Sequence, residues 1–321
     1  MRLLRRMKRA QIIPEKPKPL RKGARIGVVS TASPAEQSAV LAGVVELRRL
    51  GFEVDLPVHR EPQGYFVGTH EERLKDFCTA VQNKNLDGLI ATRGGYGSNY
   101  LIEHRLATRL NGPKCMIGFS DLTSIQMLLW QIRHWVTFYG PMVAAGFNHG
   151  AEKPGGYDEA SFLEAISHMG KGWKLPLQGE TLLSGEAKGR LVGGCLTLLQ
   201  TALGTNWQLD ARGAILVMED CGMKPYQVDR ALMHMKYAAQ FDEVAGFVLG
   251  DFPECDPPQK GSPAVREVCE RILGPLGVPI VYGAPIGHTK RSMLTLPLGV
   301  KAKLLARGEG RLEILEPAVA D

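Results

Sequence analysis

From Arg25 onward the chain carries two rhythms of apolar residues. Short apolar runs at Arg25 to Ser30, Phe52 to Leu56, Asp87 to Thr92 and Lys114 to Phe119 have the length and composition of strands. Between them, at Pro34 to Leu50, His70 to Gln82, Ser98 to Leu106 and Asp121 to Ile132, apolar residues recur at the spacing of amphipathic helices. Strand followed by helix, repeated, predicts a parallel sheet covered on both faces. Between Asn148 and Leu183 the composition shifts to Gly, Pro, Lys and Glu around one short helix, Tyr157 to His168, and reads as a linker.

The pattern resumes with Arg190 to Val192, a Gly193-Gly194 turn and an apolar helix from Cys195 to Leu203. Strand Ala214 to Glu219, helix Tyr226 to Ala239, strand Val244 to Gly250 and helix Ala264 to Leu273 follow. The chain then runs through Val278 to Tyr282 into hairpin-like strands at Leu294 to Leu298, Val300 to Ala306 and Arg311 to Leu315. The expected fold is α/β in two domains: a tail at 1–22, an N-terminal α/β domain at 23–147, a linker at 148–183 and a mixed C-terminal domain at 184–321.

Composition narrows the class. Over 321 residues, 44% hydrophobic and 22% charged are ordinary globular values, which exclude disorder, collagen and coiled coil as the main state. No apolar run approaches the roughly 18 residues of a bilayer span, and no apolar segment follows the basic residues of Met1 to Arg9. A membrane span and general secretory export are therefore not expected. The net charge of +6 is local: residues 1–25 hold ten Lys or Arg against the single acid Glu15, leaving the remainder at −3. A solvated basic tail with Pro14, Pro17 and Pro19 explains the charge, with anionic-membrane or nucleic-acid contact as the alternative; no nucleic-acid partner is expected. Six cysteines without a CxxC pair read as reduced thiols in a cytoplasm, and neither a metal nor a cofactor is expected.

Candidate chemistry begins at Gly118-Phe119-Ser120-Asp121, where an apolar strand meets a helix and places Ser120 on the turn between them. A nucleophile elbow has this geometry, with the hydroxyl above the carboxyl edge of the sheet and the Asp121 N–H available to an oxyanion. An N-cap serine is the structural alternative. A serine nucleophile needs a base and a group to hold the base. His288 stands out among eight histidines because it follows an apolar strand in the loop Pro285-Ile286-Gly287-His288. Glu219 ends an apolar strand, where a carboxylate must be paired or cap a turn, and adjacent Asp220 is its rival for holding the histidine. A third segment, Arg93-Gly94-Gly95-Tyr96-Gly97, also follows a strand. Its glycines allow close approach of a ligand and Arg93 suits a carboxylate, against the alternatives of a phosphate loop or a tight turn.

Taken together, RGGYG at Arg93, GFSDLT at Gly118, YGP at Tyr139, VGGCLTLLQTALGT at Val192, EDCGMKPYQVDR at Glu219 and GHTKRSMLTLPLG at Gly287 resemble the LD-carboxypeptidases, serine peptidase family S66. The resemblance implies an N-terminal parallel-sheet domain like the class I glutamine amidotransferases and a C-terminal swivelling β/β/α-type domain. It further implies a triad of Ser120, Glu219 and His288, and a cytoplasmic homodimer acting on muropeptides in peptidoglycan recycling. On that reading the backbone N–H groups of Gly95 and Asp121 form the oxyanion hole, and Arg93, Gly94 and Tyr96 bind substrate. Two other functions remain open. One is the family's immunity branch, which cleaves a peptide-nucleotide antibiotic and needs an aromatic stacking residue, for which Trp173 and Trp207 are candidates; the other is a non-catalytic peptide- or nucleotide-binding protein. Cys195 stands where the family commonly has Asn, and Met223 where it commonly has Glu, so the exact substrate is not implied.

Overall fold

The computed structural model describes residues 12–320 except 104–105, 107–109, 111, 171 and 258–260. Residues 1–11 of the basic tail, and with them most of its charge, lie outside the described residues.

The first half forms β1 (Arg25–Val29), α1 (Gln37–Arg49), β2 (Glu53–Asp55), the small hairpin β3 (Pro62–Gln63) and β4 (Phe66–Val67), and α2 (His70–Gln82). Then come β5 (Gly88–Ala91), α3 (Ser98–Glu103), β6 (Cys115–Gly118), α4 (Thr123–Arg133) and β7 (Thr137–Tyr139). Strands β7, β6, β5, β1 and β2 lie side by side and parallel in that order. The order reverses after β2, so right-handed crossovers place α1 on one face and α2 to α4 on the other, with a topological switch between β1 and β5.

The remaining elements are α5 (Glu159–Ser167), β8 (Trp173–Pro176), β9 (Glu180–Leu183), β10 (Gly185–Cys195), α6 (Leu196–Thr201), β11 (Ala214–Glu219), α7 (Pro225–Tyr237) and β12 (Gly246–Gly250). After these come α8 (Val265–Leu273), β13 (Ile280–Ala284), β14 (Leu296–Leu298), β15 (Lys301–Ala306) and β16 (Arg311–Ile314). An eight-stranded mixed sheet runs β8-β16-β15-β10-β11-β12-β13-β9, with β10 to β13 parallel. Strand β11 is buried on both faces: Ile215 and Val217 join a core continuous with the first domain, and Leu216 and Met218 join one beneath α6, α7 and α8.

Three expectations differ from this architecture. The segment 148–183, read as a linker, contributes α5 and both edge strands of the second sheet, β8 and β9. Most of its Gly and Pro residues lie in the turns before α5 and between α5 and β8, Pro176 ends β8, and Gly179 lies between β8 and β9. Strand β14, expected in a C-terminal hairpin, crosses instead to the first sheet and pairs antiparallel with β7, Leu296 opposite Tyr139. The described part of the tail is packed rather than solvated. Leu20 is buried, Trp135 donates its indole N–H to Glu15 at 2.8 Å, and the Ala320 N–H reaches the Pro17 carbonyl at 2.9 Å. The prolines suit an extended segment without ladder donors, which can lie across a folded body.

Candidate active site

The carboxyl edge of the first sheet holds three loops. Ser120 follows β6 after one residue and has φ +60, in the left-handed region that a non-glycine residue rarely adopts without a surrounding structure to hold it. Gly94, in the loop after β5, lies directly on its side chain: a Cβ there would stand 2.7 Å from Ser120 Oγ and 3.5 Å from the Asp121 N. Ser33, after β1, pins the same loop by donating its N–H to the Gly94 carbonyl at 3.4 Å and accepting the Tyr96 N–H at 3.2 Å.

The sequence-derived residues of this edge separate into two groups. Gly94 and the Asp121 backbone meet Ser120, whereas a Cβ on Gly95 would strike Ser33, and the half-exposed Tyr96 ring packs with Tyr65, Phe66 and Tyr100. Arg93 is exposed and donates to the Pro34 carbonyl at 3.2 Å. The buried Asp121 carboxylate accepts the N–H groups of Gly97 at 3.3 Å and Ser98 at 2.8 Å, a role that sequence reading did not find. Burial raises its pKa, with the Ser98 bonds opposing.

Glu219 and His288 come from the carboxyl ends of β11 and β13. Glu219 Oε2 accepts both the backbone N–H of His288 at 2.8 Å and its Nδ1–H at 2.9 Å. Strand alternation separates the two neighbouring acids. Glu219 follows Ile215 and Val217 towards the first domain, while Asp220 faces α6 and accepts the Thr197 N–H at 2.8 Å, the Thr197 hydroxyl at 2.7 Å and the Cys221 N–H at 2.8 Å. Two glycines make room for Glu219: a Cβ on Gly250 would stand 2.5 Å from its Cβ, and one on Gly287 would stand 2.4 Å from its Cδ. Burial draws the His288 pKa down, but the Glu219 charge and contacts with Cys221 and Glu219 outweigh it, and the net shift is upward.

The halves meet here. Phe119, next to Ser120, sets its ring edge-on to the His288 ring at 5.0 Å between centroids. Tyr139, at the end of β7, donates its hydroxyl to Glu219 Oε1 at 2.5 Å and accepts the Ser120 N–H at 3.3 Å. Sequence reading gave this tyrosine no role beyond its place in the YGP block. A cavity of about 300 Å³ opens beside His288, lined among others by Phe119, Cys221, His149, Glu254 and Lys290. Trp173 is buried in β8 and Trp207 packs against both cores, so neither has the setting of a free stacking platform. Among the described residues, no group of three His, Cys, Asp or Glu side chains is arranged to hold a metal ion.

The LD-carboxypeptidase N-terminal domain model matches residues 26–140 and the C-terminal domain model matches residues 188–304. The chain belongs to the LD-carboxypeptidase family. Membership makes it a peptidase. A Bacillus subtilis protein named "Probable murein peptide carboxypeptidase" is 32% identical, over 90% of this chain and 91% of that protein. The Microcin C7 self-immunity protein MccF of Escherichia coli is 30% identical over 88% and 91%. The crystal structure of the muramoyltetrapeptide carboxypeptidase from Oxalobacter formigenes superposes with a TM-score of 0.79 at 27% identity, over 91% of this chain and 99% of that one. No helix among the described residues of this family member is long and apolar enough to cross a membrane.

Proposed function

We propose that the chain is a serine carboxypeptidase that removes the terminal D-alanine from the L-centre of muropeptide tetrapeptides. The observation that carries this reading is that Tyr139 joins the backbone of a left-handed Ser120 to Glu219, which holds His288, while Phe119, next to Ser120, packs edge-on to the His288 ring. In the proposed reaction His288 takes the proton of Ser120 Oγ as that oxygen attacks the scissile carbonyl. Glu219 fixes the imidazole tautomer and stabilises the imidazolium. The Asp121 N–H, with the N–H groups of the Gly94-Gly95 turn, receives the developing oxyanion, and losing one such donor typically costs about 100- to 1,000-fold in rate. His288 then returns the proton to the leaving amine, and water releases the shortened peptide. Arg93, exposed on the loop that touches Ser120, supplies a cation for the free carboxylate of the terminal residue and so favours trimming over internal cleavage.

The relative named as a probable murein peptide carboxypeptidase and the solved structure of a muramoyltetrapeptide carboxypeptidase support the substrate class. The cytoplasmic homodimer is part of the same proposal. Six free cysteines fit a reducing compartment, and light scattering of the purified chain tests the dimer. The deciding experiment is turnover of lysine- and diaminopimelate-containing tetrapeptides, with tripeptide and pentapeptide controls. Ser120→Ala is expected to lower hydrolysis by roughly four to six orders of magnitude while binding persists. A Ser120→Ala protein that still turns over tetrapeptide sinks the serine mechanism.

A further inference from the structure

We propose that Tyr139 is a positioning residue of this reaction: its hydroxyl holds the Glu219 carboxylate, and through it sets the proton affinity and aim of His288. The inference rests on the serine reading above. A phenol has one proton to give and two lone pairs to fill. At Tyr139 the proton goes to Glu219 Oε1 at 2.5 Å, and the oxygen accepts the Ser120 N–H at 3.3 Å. One buried oxygen thus touches the backbone of the nucleophile and the side chain of the acid, which come from different domains.

The chemistry follows from how the carboxylate is shared. Glu219 is fully buried, so water does not stand in for a lost donor. Oε2 serves His288 through two N–H bonds, and Oε1 serves Tyr139. Tyr139 is itself fully buried, and burial together with the neighbouring Glu219 charge raises its pKa well above the ordinary value, keeping the phenol protonated and donating. Remove that donor and more of the carboxylate's charge falls on the imidazole, which then holds its proton more tightly. The Ser120 N–H also loses its acceptor at a residue whose φ of +60 depends on its surroundings.

The test is Tyr139→Phe in the full chain, read as the second-order rate of Ser120 labelling by a fluorophosphonate across pH and as kcat and KM on a tetrapeptide. The acid limb of the labelling profile is expected to move up by about one pH unit, the effect of one hydrogen bond to a charged group. Labelling near neutrality falls about tenfold, and KM stays within about twofold. In a Glu219→Gln background the same substitution changes labelling by less than about threefold, because residues acting through one partner are not additive. A packing role alone would lower the rate at every pH and leave the limb in place; that result, or additive penalties, overturns the proposal. Should Tyr139→Phe not fold, Tyr139→3-fluorotyrosine, a more acidic phenol and so a stronger donor, is expected to shift the limb the opposite way by less; an unmoved limb again overturns it. A wild-type protein that the probe does not label removes the serine reading itself, and the role of Tyr139 with it.

Discussion

Gly287→Ala probes the site without touching a reacting atom. Gly287 has φ +59, and an added Cβ would stand 2.4 Å from Glu219 Cδ and 2.6 Å from Oε1. Ordinary carbon contacts lie at about 3.5 to 4.0 Å, so the carboxylate must retreat by roughly 1 Å or more. The 2.8 and 2.9 Å bonds to His288 would then exceed hydrogen-bond range. Gly283 provides the matched control: its φ is +76 but a Cβ there meets nothing within 4 Å. Both alanines incur about 1 to 2 kcal/mol for the left-handed backbone, and Gly287→Ala adds about 1 to 3 kcal/mol of overpacking.

The two variants should therefore part in function. A 1 Å misplacement costs on the order of 100-fold, and losing the orienting acid of a triad about 10,000-fold, so Gly287→Ala is expected to lower kcat/KM within that range. Gly283→Ala should retain kcat/KM within about threefold. D-alanine release gives the rates and urea denaturation gives the stabilities. Equal kcat/KM for the two folded variants would refute the dependence of catalysis on the position of Glu219.

Glu219→Gln should lower kcat by about 1,000-fold or more, while Asp220→Asn, which weakens the acceptor at the start of α6, should cost about 1 to 3 kcal/mol in thermal stability and little activity; equal loss of activity from both would reject the separation of the two acids. The raised His288 pKa places the acid limb of kcat/KM above pH 6.5, the ordinary imidazole value, and a limb at or below it in a pH–rate series would contradict the pairing. Because the folded pKa is the higher one, the stabilisation is fully present below the unfolded value and lost as pH rises through the folded value. The stability gap between wild type and His288→Gln should therefore narrow on the alkaline side. Deleting residues 1–22 removes Leu20 from the core and the Glu15–Trp135 bond, and should lower stability by about 3 to 5 kcal/mol in chemical denaturation; an unchanged midpoint would mean that this segment does not pack.

What the sequence made legible follows from how local each signal is. Ser120, His288 and Glu219 stand at the ends of apolar runs, and strand ends are marked by where hydrophobicity stops. The choice of Glu219 over Asp220 needed a register, which the two faces of β11 supply. Helix α4 was readable as amphipathic from Leu122, Ile125, Leu129 and Ile132, of which the structure leaves Ile132 exposed at the helix end. The structure buries it from Thr123 through Trp130, because Met127 and Trp130 on its other side enter the core of the second domain. Tyr139 stood in the YGP block without a role for a related reason: at the end of a buried strand its phenol looks like core, and only the second domain brings a carboxylate to it. Strand β14 and the packed tail fail alike, since a short segment carries no signal of which sheet or surface receives it.

The path of the chain around His288 ties the candidate site to both sheets. The histidine loop leaves the second sheet at β13 (ending at Ala284) and enters the first at β14 (beginning at Leu296), so it is anchored on both sides. At the first anchor, Glu219 holds His288 by both backbone and side chain. At the second, Leu296 pairs with Tyr139, the residue whose hydroxyl joins Glu219 to the Ser120 backbone. A hinge motion that drew the imidazole away from the serine would have to break the β14–β7 pairing or the Tyr139–Glu219 bond. Strand pairing and the two Tyr139 bonds thus tie the two sides of the candidate site together.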